Sequence, residues 1–290
     1  MKNSCKITVV MPCFNHGEFL PEAVASVMNA RREDLELIVV DDGSTDERTR
    51  EAMNEVEARG VKAIRQKNRG LAGARNAGIS ASHGEYIFPL DADDRLRDGW
   101  IDEALKILET NPEVGIVYGD AQCFGTLNFR WSTGPFDVDR LLYSNVIHAS
   151  ALYRRSVWEQ NHGYDGMMPI QGLEDWDFWL GALENGWQFR YLRRIFFEYR
   201  QAPESMTTRA KGFESQVKAF VAKKHGLLYG QAWRQNRDSM KRTCRNLGRL
   251  VKARLNETLL TPAMTAVRLK AAKEFRLLRE RFTGPPKQAR

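Results

Sequence analysis

Tyr86-Ile87-Phe88-Pro89-Leu90-Asp91-Ala92-Asp93-Asp94 sets a short apolar run directly against three carboxylates. The run has the length and composition of a buried strand, and the acids follow at its carboxyl end. In open α/β sheets, ligands bind at that edge. Asp91 and Asp93 stand two residues apart, so in extended backbone they project to the same side. Two carboxylates held together repel unless a proton or a cation intervenes. Mg²⁺ and Mn²⁺ take oxygen ligands, and Mg²⁺ commonly combines one or two carboxylates with substrate phosphates. The acids therefore have two readings, a metal–diphosphate site or a solvated acidic turn.

Outward from this stretch, the first 110 residues alternate between apolar runs and helical patterns. Ile7–Met11, Leu35–Val40, Val61–Arg65 and Tyr86–Leu90 read as strands. Pro21–Ala30, a segment capped by Thr45 or Asp46 and running to Ala58, Gly70–Ala81 and Asp98–Thr110 read as helices, the last stopped by Asn111-Pro112. Such alternation predicts a parallel sheet covered by helices. Past residue 110 the pattern changes. Val114–Tyr118 reads as a strand, 120–150 as loop-rich, Leu173–Glu184 as a helix and Gln188–Arg200 as one or two strands. From Gly212 helical patterns dominate, with a break at Pro262.

Composition narrows the classes. Apolar residues make up 42%, enough for a core, yet no run of 18 is apolar, so no transmembrane helix is expected. The N-terminal apolar run is too short for a signal-peptide core. Cys5, Cys13, Cys123 and Cys244 are scattered without a Cys-x-x-Cys, which fits reduced cytosolic thiols rather than disulfides or structural zinc. Residues 209–290 hold 21 Lys/Arg against 5 Asp/Glu, a balance of +16, while residues 1–208 hold 23 against 32, a balance of −9. An acidic body with a basic tail points to an anionic partner for the tail.

Four further segments place polar groups after a strand or at a helix start. Met11-Pro12-Cys13-Phe14-Asn15-His16 is a turn into a helix, either an anion site or an ordinary connection. Val39-Val40-Asp41-Asp42-Gly43-Ser44 can bind a uracil N–H or a ribose hydroxyl, or can cap the next helix. Asn68–Gly78 is a slim Gly/Ala helix bearing Arg75 and Asn76, and Arg75 can pair with a diphosphate or with an acid. It lacks the Lys-Ser/Thr ending of a P-loop. Gly172–Trp179 sets Glu174 and Asp175 at a helix start, as capping residues or as a general base.

Five such motifs in this order, across residues 6–200, resemble the inverting glycosyltransferases of family 2. The resemblance implies a GT-A fold, an α/β, Rossmann-like, mostly parallel sheet with helices on both faces, here with a C-terminal helical extension. It implies a glycosyltransferase domain over 1–208, with a nucleotide-binding half (1–110) and an acceptor half (111–208), followed by a basic helical extension (209–290). It assigns Pro12, Asn15, Asp41, Arg75 and Asp91 to the nucleotide-sugar and Asp93 to Mn²⁺ or Mg²⁺. Asp175 becomes the catalytic base, with Glu174 as its alternative, while Asp94 receives no role. Asn145–Arg155 resembles the acceptor-side strand. The implied reaction moves a sugar, typically from a UDP-sugar, to a hydroxyl on a saccharide, lipid-linked or protein acceptor in bacterial cell-surface polysaccharide or glycolipid assembly. The chain departs from the family at Tyr199-Arg200-Gln201-Ala202-Pro203, where a histidine is usual, leaving Arg200 or Arg209 as substitutes.

The tail mixes Leu247, Leu250, Val251 and Leu255 with Arg245, Arg249, Lys252 and Arg254. Such a basic amphipathic pattern suits an anionic membrane surface, packing on the catalytic domain, or packing on a second subunit in a homodimer. The expected location is cytoplasmic, peripheral at the inner face of the membrane. Two alternative functions, a nucleotidyltransferase-like enzyme and a nucleic-acid-binding protein using the tail, explain less. The place after the first strand lacks the nucleotidyltransferase Gly/Arg signature, and no standard nucleic-acid motif is present.

Overall fold

Residues 5–202 and 214–235 are described by the computed structural model. The basic segments beyond residue 235, the break expected at Pro262 and Arg209 lie outside the described residues. The first half alternates as its sequence predicts. β1 (Ile7–Cys13), α1 (Leu20–Met28), β2 (Leu35–Asp41), α2 (Glu47–Ala58), β3 (Lys62–Arg65), α3 (Gly70–Ser80) and β4 (Tyr86–Pro89) follow one another. Asp46 caps α2, its carboxylate accepting the Thr49 N–H at 2.8 Å. The strands run in parallel in the order β3-β2-β1-β4.

β1 is buried along all seven residues, as a central strand covered on both faces must be. Its side chains alternate between two cores. Val9 and Met11 meet α1 and α2, together with α4 (Ile101–Thr110), whereas Val10 faces α3. Gly78 makes the second contact feasible, because a Cβ there would lie 2.4 Å from Val10 Cγ1. The slim helix thus serves a close approach to the sheet.

The second half is mixed. β5 (Arg95–Leu96) and β6 (Val114–Gly125) are followed by β7 (Phe129–Trp131), α5 (Val138–Tyr143), β8 (Leu152–Arg154), α6 (Arg155–Gln160), α7 (Glu174–Glu184) and β9 (Gln188–Gln201). β8 joins β4 antiparallel and the sheet continues β8-β6-β9-β5, with β6 and β9 parallel. β6 is longer than its apolar run predicts, and 120–150 is less loop-rich. The cause is Asp120, a fully buried carboxylate in mid-strand. It accepts from Arg130 Nε (2.9 Å), Thr133 N–H (2.9 Å) and Tyr191 OH (2.8 Å), so the strand carries an acid that breaks its apolar pattern. Past the sheet, α8 (Glu214–Lys224) and α9 (Gly226–Gln235) contribute Val217, Val221 and Leu228 to the core around α7.

Candidate active site

The carboxyl ends of the parallel strands bring the motifs to one edge. Cys13 is in register with Asp41, and Asp41 with Arg65. Pro12 is buried opposite Val40. Asn15 adopts a left-handed φ of +55°, a region Asn enters more readily than most residues. Its Oδ1 accepts the Thr45 N–H at 2.8 Å, and its own N–H donates to Ser44 Oγ at 2.9 Å. Asn15 therefore ties the β1 turn to the β2 turn. Asp41 accepts the Ser44 N–H at 2.9 Å, fixing its own turn. Asp42 accepts Gln66 Nε2 (2.6 Å) and the Arg69 N–H (2.8 Å), which braces the entry to α3.

Arg75 projects from α3 into the centre of the site and is 1% exposed. Its Nη2 donates to Asp91 Oδ1 at 2.9 Å and its Nη1 donates to Glu174 Oε1. The guanidinium carbon lies 5.6 Å from the Tyr164 ring centroid. Burial alone would favour the neutral form, but the two carboxylates outweigh it and hold Arg75 charged, its pKa raised above the ordinary value. Of the two partners the sequence offers Arg75, a diphosphate or an acid, the acid is seen, and Arg75 joins the acid loop after β4 to the start of α7. Asp94, without a role in sequence, accepts the Arg200 N–H at 2.8 Å and is buried. Burial and the neighbouring Asp93 and Asp91 push its carboxyl well above the usual carboxylate range. Arg200, the candidate substitute for the absent late histidine, donates Nε–H to the Asp93 carbonyl at 2.8 Å and pairs with Glu22. Its guanidinium lies 4.4 Å from the ring centroids of both Phe19 and Phe124. Arg200 holds the acid loop in place.

At the start of α7, Glu174 accepts Arg75 through one oxygen and the Gly172 N–H (2.7 Å) through the other. Asp175 is 6% exposed. Its Oδ2 accepts Asn145 Nδ2 at 2.9 Å, and its Oδ1 accepts the Trp176 N–H at 2.9 Å. Burial, then the charge of Glu174, raises its carboxyl to about 7. A buried carboxylate titrating near neutrality has the basicity a general base needs. The segment bearing Asn145 is held by two indoles of α7. Trp176 Nε1 donates to the Leu141 carbonyl at 2.6 Å and Trp179 Nε1 to the Ile147 carbonyl at 3.1 Å.

Among the described residues, no three His, Cys, Asp or Glu side chains are gathered into a metal cluster. The donor set still fits a hard cation shared with phosphates. Asp91 and Asp93 are each partly exposed, and the Asp93 carboxyl is raised by burial and by Asp91. His16, left unassigned by sequence, places Nδ1 4.0 Å from Asp93 Oδ1. The sequence marks Asn145 only as the start of the acceptor-side strand and Tyr164 not at all. Both contacts join positions far apart in sequence, and no local pattern marks them.

The description Glycosyl transferase family 2 belongs to a family model that matches residues 8–166. A PGL/p-HBAD biosynthesis glycosyltransferase of Mycobacterium bovis is 32% identical over 200 residues, covering 67% of this chain and 76% of that protein. The chondroitin synthase of Pasteurella multocida is 26% identical over 220 residues, 73% of this chain but 22% of that protein. Among solved structures, S. aureus TarS 1-349 in complex with UDP-GlcNAc is similar with a TM-score of 0.58 at 18% identity, covering 70% of this chain. The chain spans 60% of the length of that TarS structure. At this identity the likeness shows a shared GT-A type fold.

Proposed function

The chain belongs to glycosyl transferase family 2, and on that premise we propose that it moves a sugar from a UDP-sugar to a hydroxyl acceptor with inversion at the anomeric carbon. The observation that carries the reading is the buried bridge Asp91–Arg75–Glu174. It fixes the acid loop against the helix whose next residue, Asp175, titrates at about 7. Nucleotide-side acids and a base are thereby held in one site, as a single displacement between donor and acceptor requires.

Asp175 removes the proton from the acceptor hydroxyl while Asn145 holds its carboxylate. The acceptor oxygen attacks the anomeric carbon from the face opposite the nucleotide. The bond from that carbon to the diphosphate oxygen breaks, and UDP leaves with the electron pair. Asp41 binds the uridine at the end of β2, and Pro12 and Asn15 shape the turn beside it. Arg75 acts from beneath, holding Asp91 and Glu174 in place. Mn²⁺ or Mg²⁺ held by Asp93, with Asp91 nearby, would neutralise the departing diphosphate. A UDP-sugar is supported by the UDP-GlcNAc complex of the structurally similar TarS. Glycolipid or polysaccharide assembly is supported by the names of the M. bovis and P. multocida relatives.

The +16 balance of residues 209–290 supports docking of the tail on an anionic membrane where a lipid-linked acceptor resides. No helix among the described residues is long and apolar enough to cross a membrane. The reaction is tested by incubating the protein with a panel of UDP-sugars and Mn²⁺ and measuring UDP release. At least one donor is expected to be hydrolysed slowly, and the Asp93→Ala variant is expected to lose metal-dependent UDP binding in calorimetry. Unchanged affinity in that variant would remove Asp93 from the metal site.

A further inference from the structure

One cluster beside the site remains without a task in this chemistry. Across β7, β6 and β9, Trp131 pairs with Ala121 and Ala121 with Phe197, while Phe129 pairs with Cys123 and Cys123 with Tyr199. Directly paired residues, and residues two apart, share a face of a sheet. Four aromatic rings therefore flank a strip of small residues. Trp131 is 39% exposed, a large apolar ring left at the surface.

The ring is held rather than loose. Its neighbours Arg130 and Ser132 both donate to Asp120 Oδ2, at 2.9 and 3.3 Å, from the opposite side of the hairpin. His148 stands edge-on to the indole, with centroids 4.2 Å apart at 86°. Tyr199 lies 5.9 Å away at 68°. Holding a platform in advance lowers the ordering cost of a ligand that stacks on it. Among the described residues, the Nε2 of His148 has no hydrogen-bond partner and is covered by its surroundings. A buried nitrogen left without a partner is costly unless a ligand or water completes it. Burial also lowers the pKa of His148 to about 4, so the ring is neutral and offers one donor and one acceptor nitrogen.

The same segment connects this cluster to the base. Asn145, bonded to Asp175, lies three residues before His148. Three residues of chain reach at most about 11 Å, so the His148 backbone stands within that span of Asn145, the residue that holds the base. The chemistry on offer is a flat apolar face backed by a neutral imidazole whose Nε2 lacks a partner. A pyranose ring presents the complement, a C–H face bordered by hydroxyls.

We propose that Trp131, buttressed by Tyr199 and His148, is an acceptor subsite that stacks a pyranose ring and receives one of its hydroxyls at His148 Nε2. The proposal rests on the glycosyltransferase reading and names saccharide as the acceptor class. It is tested on the full chain with two separate readouts. Saturation-transfer NMR follows binding of a set of methyl pyranosides (gluco, galacto, N-acetylglucosamine and rhamno), and calorimetry follows UDP.

The wild type is expected to receive saturation transfer on the ring C–H protons of at least one methyl pyranoside. W131A is expected to weaken that binding roughly tenfold, and W131F to restore most of it. H148F, which keeps a ring under the indole and removes the nitrogen, is expected to weaken it as well. UDP affinity is expected to be unchanged in all three variants. Pyranoside binding that W131A leaves intact would overturn the subsite. So would a wild type that ignores every methyl pyranoside. Wild-type affinity in H148F would remove the imidazole from the site. Loss of UDP binding in the wild type would instead count against the glycosyltransferase reading itself.

Discussion

At Asp175 a carboxylate of ordinary value 3.8 titrates at about 7 in the folded protein. Its effect on stability has a definite sign. Below 3.8 the carboxyl is protonated whether the chain is folded or not. Between 3.8 and 7 the unfolded chain ionises while the folded one resists, so the stability present at low pH is progressively lost. Above 7 the loss is complete. D175N, neutral throughout, is expected to stabilise the fold by roughly 1–3 kcal/mol at pH 8 and to change little at pH 4. The same variant is expected to slow sugar transfer by about 10²–10⁴-fold. Thermal melts at the two pH values and turnover at pH 8 check both. Wild-type turnover is expected to rise with pH through about 7. Arg75 gives a second test. R75M leaves Glu174 buried, and Asp91 half-buried, without their cation and is expected to cost about 3–5 kcal/mol in urea unfolding. Lys at this position is no safe substitute, because one ammonium cannot fork to two carboxylates in the same way. That Arg75 could pair with an acid was legible, but not that Glu174, 99 residues away, is one of its partners.

α7 does two jobs from one sequence. Its first turn carries Glu174 and Asp175, and later residues fasten α8 and α9. Asp177 accepts from His225 Nε2 (2.9 Å) and from Lys224 Nζ (2.7 Å), and Glu184 pairs with His225 Nδ1 at 2.8 Å. Burial would lower the His225 pKa, but the hydrogen bonds to Asp177 and Glu184 outweigh it and raise it above 6.5. A raised histidine stabilises fully below its unfolded value of 6.5 and loses that contribution as pH climbs through its higher folded value. Amide exchange in α9, corrected for intrinsic rates, is therefore expected to show protection that falls with pH above that point. H225A is expected to abolish the pH dependence. Protection that varies equally in both proteins would contradict the clip. Sequence made α7 visible through its periodicity and acidic start. It missed the reach of β6, where Asp120 sits buried in a strand and its neutralising partners come from β7 and β9.

At the scale of the molecule, the parallel half of the sheet was readable because apolar runs and helical patterns alternate at a spacing that permits few topologies. The same regularity lined up the turns after β1, β2 and β4 at one edge. The antiparallel β8 was harder, since Leu152–Arg154 is only three residues long. The charge asymmetry of the chain was legible from composition alone, and it sets a test. Flotation of the full chain with anionic vesicles is expected to show binding that weakens with salt, as contact through exposed charges requires. Binding to neutral vesicles alone, or to none, would contradict a membrane role for the tail. Transfer from a UDP-sugar with Asp175 as base is read most directly from UDP release with a panel of UDP-sugars and Mn²⁺, wild type beside D175N. Release from at least one donor by the wild type and a loss of about 10²–10⁴-fold in D175N are expected; equal rates in the two proteins, with UDP binding intact in both, would contradict Asp175 as the base.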